Sequence, residues 1–348
     1  MSSTFTIRPV QPDDSPALAA LIQATPSLGQ ISFTYKYLAD VIAVHQALSP
    51  GFDGLVALEG ETIVGLVFGE RLDVQYAGGV RPAGYISNLR VHPDYRRQGI
   101  AHSLAAYGLP YAENILGQDG LLYAAVPAGN LSEALLSTYN FHTTQPIQGG
   151  AVPMRGTPPR DLPGISVRPA FPSDLPSLAD GMNRFYKDHI LWSPVSPSSL
   201  AAFLEQQAAE VRPNQLYLAE RAGQIVAGLS TSDRTNLVRM HIAHAPVYLH
   251  LLGALLGVLP ATGSLRSLTV RHVWYAPGEQ EAARHLWQSL RYRLRHQATS
   301  LGIAFDPQDS LADVFQLPSW LPLVSARYGL RTTLQDDPDR PVYCLAGP

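Results

Sequence analysis

The stretch of sequence that decides the fold is Leu89-Arg90-Val91-His92-Pro93-Asp94-Tyr95-Arg96-Arg97-Gln98-Gly99-Ile100-Ala101. It is typical of a buried strand end followed by a turn and then by a basic loop that opens a helix. Gly99 lets the backbone come close to a ligand, and the first N–H groups of the helix have no partner within the helix. Because a helix N-terminus attracts anions, the pattern predicts a phosphate-binding loop to which Arg96 and Arg97 add positive charge.

This stretch resembles the acyl-CoA signature of the GNAT (Gcn5-related N-acetyltransferase) superfamily. The signature is Arg or Gln, two residues, Gly, one residue and then Gly or Ala, after a strand that ends in Val-x-Pro. Here it is Arg96-x-x-Gly99-x-Ala101 after Val91-His92-Pro93. The resemblance implies that acetyl-CoA is bound by Leu89, Arg90, Val91, Arg96, Arg97, Gln98, Gly99, Ile100, Ala101 and His102. The alternative is a strand-to-helix turn whose arginines are only solvated.

Length and composition limit the possible classes of protein. The 348 residues are enough for two domains of roughly 150 residues each. The formal net charge is −3 and the arginines form no basic block, so we expect no nucleic acid and no membrane as partner. The single cysteine, Cys344, excludes an intramolecular disulfide, and no spacing of side chains is typical of a metal site. We therefore expect a metal-free protein in the reducing cytoplasm, as a monomer or homodimer.

Neither the N-terminus nor the most apolar segment suggests a membrane protein. The first residues contain no apolar core or cleavage pattern, so we expect no signal peptide. The most apolar run, 248–259, contains a histidine and stops at Pro260, short of the roughly 20 residues that span a bilayer. We expect it to be a buried helix.

The chain contains two copies of one design. Ile7-Arg8-Pro9 with Pro12, Asp14, Pro16, Leu18 and Ala19 reappears 160 residues later as Val167-Arg168-Pro169 with Pro172, Asp174, Pro176, Leu178 and Ala179. Each copy predicts a short strand, a turn and a helix that starts near the aspartate. An apolar hairpin pattern follows in each half, at 55–66 and 216–229. Because 148–164 is rich in glycine and proline, we expect no regular element there.

These patterns predict an α/β (α+β) protein of two tandem GNAT-like domains, each with a mixed, mostly antiparallel sheet flanked by helices. Residues 1–150 would be the acetyltransferase domain, 151–164 a linker and 165–348 a degenerate domain. In the second domain the corresponding stretch enters a helix almost at once, and Glu279 and Glu281 stand where an anion would bind. We therefore expect no cofactor in the second domain.

The last helix of the first half contributes two further candidates. Asn130 is expected to cap this helix with the help of Glu133, and the resemblance implies that it also contacts the pantetheine arm. Family members carry a catalytic tyrosine five residues before the aromatic residue of a Gly-Phe pair, a position that Leu136 occupies here. Tyr139, one turn further, is the replacement we predict for the acid, with packing on the sheet as the alternative.

Transfer to an amine also needs a base and a donor to the oxyanion. An amine with a pKa of about 10.4 is mostly charged at neutral pH, so it must lose a proton before it attacks. Glu70, Asp73 and Asn88 are the candidates near the expected cleft. The resemblance implies a backbone donor between Leu89 and Val91, and an acceptor wall that contains Phe33, Tyr35 and Tyr37.

The sequence thus predicts an acyl-CoA-dependent N-acetyltransferase whose acceptor is an amine of a small molecule or peptide. Because Leu136 replaces the usual acid, a non-catalytic protein that binds or senses CoA is the alternative. The acceptor itself depends on loops and is not specified by the motif.

Overall fold

A computed structural model describes residues 5–27, 32–130, 132–244, 264–337 and 339–345. These residues form two compact units, each of which takes segments from distant parts of the chain. The apolar run 248–259 lies outside the described residues. Among the described residues, no helix is long and apolar enough to cross a membrane.

The first unit comprises the described parts of 1–145, 237–246 and 326–338. Its elements are β1 Thr6–Pro9, α1 Ser15–Ala24, β2 Ser32–Tyr37, α2 Val41–Leu48, β3 Phe52–Glu59, β4 Thr62–Tyr76, β5 Gly79–Val91, α3 Ile100–Leu116, β6 Leu121–Pro127, α4 Ser132–Thr138 and β7 His142–Thr143, to which β12 Val238–His244 and most of β16 Val324–Arg331 are added. The main sheet has the order β1-β3-β4-β5-β6-β16, and β7 pairs with β16. β2 and β12 form a separate antiparallel pair.

The second unit comprises the described parts of 146–236, 247–325 and 339–348. Its elements are β8 Ile147–Pro153, β9 Ile165–Pro169, α5 Leu175–Phe185, α6 Pro197–Glu205, β10 Asn214–Arg221, β11 Gln224–Ser232, β13 Ser264–Leu265, β14 Ser267–Tyr275, α7 Gln280–Arg293, β15 Ser300–Phe305 and α8 Leu311–Phe315. The sheet order β9-β10-β11-β14-β15-β8 matches that of the first unit position by position. In both sheets only one pair is parallel, β5 with β6 and β14 with β15. The predicted fold class is confirmed.

Helices cover both faces of the first unit's sheet. Leu66 and Phe68 of β4 point toward α1 and α2, in a core with Leu18 and Ile22. On the other face α3 comes so close to β4 that a Cβ on Gly65 would lie 2.7 Å from the Ile100 side chain. Although Pro110 lies inside α3 and removes one backbone donor, the helix is continuous from Ile100 to Leu116.

The expectation that 148–164 contains no regular element was wrong for the first residues of this segment, which belong to β8. β8 pairs with β15 from Gln148 opposite Phe305 to Pro153 opposite Ser300. This pairing supplies the last strand of the second unit, just as β16 supplies the last strand of the first. Neither 1–150 nor 165–348 therefore holds all six strands of its own sheet, although the assignment of separate roles to these two regions stays a prediction.

The sequence repeat corresponds to a repeated interaction at the first turn of each unit. Arg8 donates from both Nη atoms to Asp14, at 2.7 and 2.8 Å, and Arg168 does the same to Asp174, at 2.6 and 3.0 Å. In each copy the buried carboxylate also accepts a backbone N–H three residues earlier, at 2.7 Å. The hydrogen bonds from Arg168 lower the pKa of Asp174, and those from Arg8 lower the pKa of Asp14.

Asp174→Asn should lower the free energy of unfolding by about 1–3 kcal/mol at pH 7, because it weakens a charge-assisted pair at a buried site. The lowered pKa means that Asp174 contributes stability above the pKa of an unfolded aspartate, about 3.9, and loses it as the pH falls. Melting temperatures at pH 7 and pH 3 should therefore differ less in the variant than in the wild type. Asp180→Asn, at an exposed position of α5, is the control; equal effects of the two substitutions would contradict the assignment.

Candidate active site

The loop between β5 and α3 is the predicted phosphate-binding loop. It is eight residues long, 92–99, and two of them have positive φ, Arg97 at 62° and Gly99 at 84°. Ser103 N–H donates to the Gly99 carbonyl at 2.9 Å, so the N–H groups of the three residues before it lie ahead of the helix's own hydrogen bonds. Residues 96–99 are exposed, whereas Ile100 is buried and anchors the helix start. The predicted loop geometry is thus present.

Space and charge at this loop fit a phosphate group. A Cβ built on Gly99 would meet no atom within 4 Å, so its glycine is needed for the positive φ and not for lack of room. Arg96 Nε donates to the Val91 carbonyl at 3.4 Å, which leaves its Nη atoms to face a ligand. Backbone N–H groups, exposed guanidinium groups and open space are what a pyrophosphate requires.

The strand before this loop separates from its parallel neighbour. β5 pairs with β6 only at Ala83, Gly84 and Tyr85, although β5 continues to Val91 and β6 to Pro127. Beyond Tyr85, no strand among the described residues pairs with the edge of β5 that faces β6. Its N–H and C=O groups are therefore available to an extended ligand that carries amides of its own.

A β-bulge at Asn88 accompanies this separation. The register of β5 against β4 shifts between Leu66–Arg90 and Phe68–Ser87, and Asn88 has a φ of 52°. Asparagine tolerates this conformation, and its Oδ1 accepts from Arg90 Nε and Nη2, both at 3.3 Å. Asn88 thus stabilises the bulge through these hydrogen bonds, and its part in catalysis stays a prediction.

The other two candidates for the base lie on opposite faces of the sheet. Glu70 and Asp73 are three residues apart in β4, in a register without a shift, so their side chains point to opposite sides. Glu70 lies on the face of Leu66 and Phe68, toward α1 and α2, and it is half-buried. Asp73 is exposed and about 20 Å along the strand from the bulge. Only Glu70 shares a face with Arg90.

The face that carries Glu70 also carries an aromatic wall. Arg90 stands opposite Leu66 and so lies on this face, with its guanidinium 5.6 Å from the ring centre of Tyr35 in β2. β12 pairs with β2 and places Met240 opposite Tyr35. The sequence did not predict this strand, because its partner lies about 200 residues away in the chain and no local pattern encodes the pairing.

Helix α4 is capped as predicted. Asn130 Oδ1 accepts the N–H of Ser132 at 2.9 Å, and the Glu133 side chain accepts the N–H of Gly129 at 3.2 Å. Leu136 is buried, and a Cβ on Gly329 would lie 2.7 Å from its Cδ1. Leu136 therefore packs on β16.

Tyr139 lies beside the predicted phosphate loop. Its hydroxyl donates to the His102 carbonyl at 2.9 Å, and burial raises its pKa. Arg331 of β16 holds the helix end that carries Tyr139, since it donates to the Tyr139 carbonyl and to Glu113 Oε1, the latter at 2.6 Å. The sequence analysis missed Arg331, because only the pairing of β16 with β6 brings it to this site.

The second unit repeats the bulge and the strand separation but not the loop. His272 has a φ of 55°, β11 and β14 shift register at the same point, and β14 pairs with β15 over only three residues. Four residues, 276–279, join β14 to α7, against eight in the first unit. The Glu279 carboxylate accepts from Arg221 at 3.0 and 3.1 Å. An anion would find a carboxylate at this helix start.

The C-terminal segment lies at the strand separation of the second unit. Val342 N–H donates to Asp306 Oδ2 at 3.1 Å, and Tyr343 N–H donates to the Ile190 carbonyl at 2.9 Å. A cavity there is lined by residues of β14 and β15 together with Val342, Tyr343 and Cys344. Burial lowers the pKa of His272 to about 3, so its ring is neutral at physiological pH. Among the described residues, no group of three or more His, Cys, Asp or Glu side chains could hold a metal ion.

Comparisons with known proteins agree with this geometry. Residues 23–134 match the sequence model of the Acetyltransferase (GNAT) family. The chain matches no curated protein sequence. A GCN5-related N-acetyltransferase from Sphaerobacter thermophilus is similar in structure, with 14% identity, a TM-score of 0.56 and 94% of each chain covered.

Two further solved structures share the fold. Saccharomyces cerevisiae N-myristoyltransferase with bound myristoyl-CoA is 11% identical, with a TM-score of 0.64 over 95% of this chain and 83% of that one. A GCN5-related N-acetyltransferase from Kribbella flavida is 15% identical, with a TM-score of 0.54 over 95% of this chain and 71% of that one.

The solved structures show that this chain has a GNAT-type fold. The segment that matches the GNAT family, 23–134, contains the loop, the bulge and α3.

Gly99→Val should lower affinity for acetyl-CoA more than tenfold while the protein stays folded. A β-branched residue is strained at a φ of 84°, so the exposed loop must rearrange and its N–H groups no longer converge. Isothermal titration calorimetry measures the change. Gly60→Val is the matched control, because Gly60 also has positive φ and open space but lies in the β3–β4 turn. Unchanged affinity in a folded Gly99→Val protein would show that the loop does not bind the cofactor.

Proposed function

We propose that this protein is an acyl-CoA-dependent N-acetyltransferase that moves an acetyl group directly from acetyl-CoA to an amine of a small molecule or peptide. One observation carries the proposal: the eight-residue loop with exposed N–H groups follows a strand that has separated from its parallel neighbour. The loop suits a pyrophosphate and the unpaired strand edge suits a pantetheine arm. The match of 23–134 to the GNAT family supports the same assignment.

In this proposal the loop and the strand edge bind the cosubstrate. Arg96, Arg97 and the N–H groups at the start of α3 would hold the pyrophosphate. Asn130, whose Oδ1 caps α4, would add a contact to the pantetheine arm, as the resemblance to the family implies. When bound, acetyl-CoA supplies the activated acetyl group as a thioester.

The chain's own residues would supply the remaining steps. A backbone N–H between Leu89 and Val91, next to the bulge, would donate to the developing oxyanion, and one such donor is worth about 3 kcal/mol. Glu70, on the face of the aromatic wall, would accept the proton of the ammonium group, directly or through water. Tyr139, whose pKa is raised by burial, stays protonated at neutral pH and would give its proton to the leaving thiolate.

A non-catalytic CoA-binding protein is the alternative, and the burial of Leu136 at the family's tyrosine position favours it. Release of the free CoA thiol in the presence of an amine library separates the two functions. Turnover that depends on the amine supports the transferase. Tight binding of acetyl-CoA without release of thiol for any amine would support the alternative.

Tyr139→Phe should lower kcat ten- to a hundredfold while the affinity for acetyl-CoA changes less than threefold, because only the proton donor is lost. Steady-state kinetics and calorimetry measure the two quantities. Tyr111→Phe is the control, since this tyrosine of α3 donates to Asp53 at 3.1 Å, outside the proposed site. If the two variants have the same kcat, Tyr139 is a packing residue and the acid is another group.

The full chain should bind one acetyl-CoA. The second unit has a loop of only four residues, a carboxylate at the helix start and the C-terminal segment at its strand separation. Calorimetric titration should therefore give a stoichiometry of about one, and Gly99→Val should abolish it. A second binding event that persists in Gly99→Val would place a functional site in the second unit.

A further inference from the structure

Arg90 is a cation on the proposed acceptor face, and in the part of the chain that the structure describes it forms no ion pair with a carboxylate. Its guanidinium donates to the Thr25 carbonyl and to Asn88 Oδ1, which are neutral oxygens. Among the described residues no Asp or Glu oxygen lies within 4 Å of it, and the remaining residues include no Asp or Glu. The titratable groups that face it are the phenols of Tyr35 and Tyr37.

The environment of this charge is unfavourable without an anion. The guanidinium gains some stabilisation from the Tyr35 ring and from the carbonyl at the C-terminus of α1. Desolvation by burial nevertheless lowers the pKa of Arg90. A partly desolvated cation costs free energy that neutral hydrogen-bond acceptors offset only in part. In proteins such a cation is usually matched by a carboxylate or phosphate.

The edge of the guanidinium that binds carboxylates is weakly occupied. Nε and Nη2 form the edge that pairs with both oxygens of a carboxylate, and here both donate to the single Oδ1 of Asn88 at 3.3 Å. These bonds are long for charge-assisted ones. A carboxylate at this edge would accept one shorter hydrogen bond from Nε and another from Nη2, and would take the place of Asn88 Oδ1.

The second unit shows that the fold does not need a cation at this position. Arg90 stands opposite Leu66 beside the bulge, and Trp274 stands opposite Gly228 beside the equivalent bulge. Trp274 is buried and packs so closely on α5 that a Cβ on Gly181 would lie 2.2 Å from its ring. An apolar side chain thus completes the same backbone arrangement, and the charge of Arg90 calls for a separate explanation.

We propose that Arg90 binds a carboxylate of the acceptor, so that the acceptor is an amine with a carboxylate close by, as in an amino acid. This inference rests on the proposed transferase function. Arg90 lies within the strand segment, Leu89 to Val91, that is proposed to donate to the oxyanion, so the carboxylate and the reacting amine would be only a few bonds apart. The Tyr35 ring would cover one side of the bound group.

Matched pairs of amines test the site: phenylalanine with phenethylamine, arginine with agmatine, and histidine with histamine. The wild-type chain with acetyl-CoA should have a kcat/KM at least tenfold higher for the amino acid of the preferred pair. Arg90→Met should lower kcat/KM ten- to a hundredfold for the amino acid and less than threefold for the decarboxylated partner. Arg90→Lys should restore part of the preference, and Lys36→Met, an exposed cation of β2, should leave it unchanged.

Binding of the same pairs at saturating CoA keeps this inference separate from the transferase assignment. If no amine is acetylated but the amino acid binds more tightly through Arg90, the carboxylate site stands and the transferase assignment fails. If amines are acetylated without preference for the carboxylated member, the carboxylate site is wrong. It is also wrong if Arg90→Met weakens both members of a pair equally, since that result is expected of a structural residue.

Discussion

The separation of two parallel strands is the constraint on which the rest of this structure depends. β5 and β6 pair over three residues, which end at Tyr85, and the bulge at Asn88 follows three residues further along β5. Parallel strands that stayed paired would have no free edge, and the loop after β5 would then stand at the end of a closed sheet. Because they part, the backbone groups of β5 beside Arg90 are open to a ligand next to the predicted phosphate loop.

The two units share the bulge and the short parallel pairing but differ in the loops and side chains around them. Both have a residue of positive φ at the bulge, Asn88 in one and His272 in the other, and both have a short parallel pairing. The first unit adds a long loop and a cation. The second has a short loop that ends in the carboxylate of Glu279. The indole of Trp274 stands at the position of Arg90, and the C-terminal segment lies at the strand separation. The differences lie in loops and side chains, which change more easily than a sheet.

The last strand of each sheet comes from outside the half of the sequence that supplies its other five strands. β16 reaches the first unit from the end of the sequence, and its Arg331 holds both α3 and the end of α4. β8 comes from the segment after the first half and completes the second sheet. The arginine–aspartate pair at the start of each unit is local by contrast, six residues apart in both copies, and so it survives as a visible sequence repeat.

The sequence by itself determined the local elements and the loop. The strand, turn and helix of each copy, the two hairpins, the cap at Asn130 and the loop before α3 follow from patterns within a few residues, since capping and turn chemistry act over that range. Only the tertiary structure decided what distant segments bring together. The pairing of β12 with β2, the β16 strand, the opposite faces of Glu70 and Asp73 and the lack of a carboxylate near Arg90 depend on strand register and on contacts between residues far apart in the chain. No local pattern encodes these, because the hydrogen bonds of a sheet are the same whichever strand supplies them.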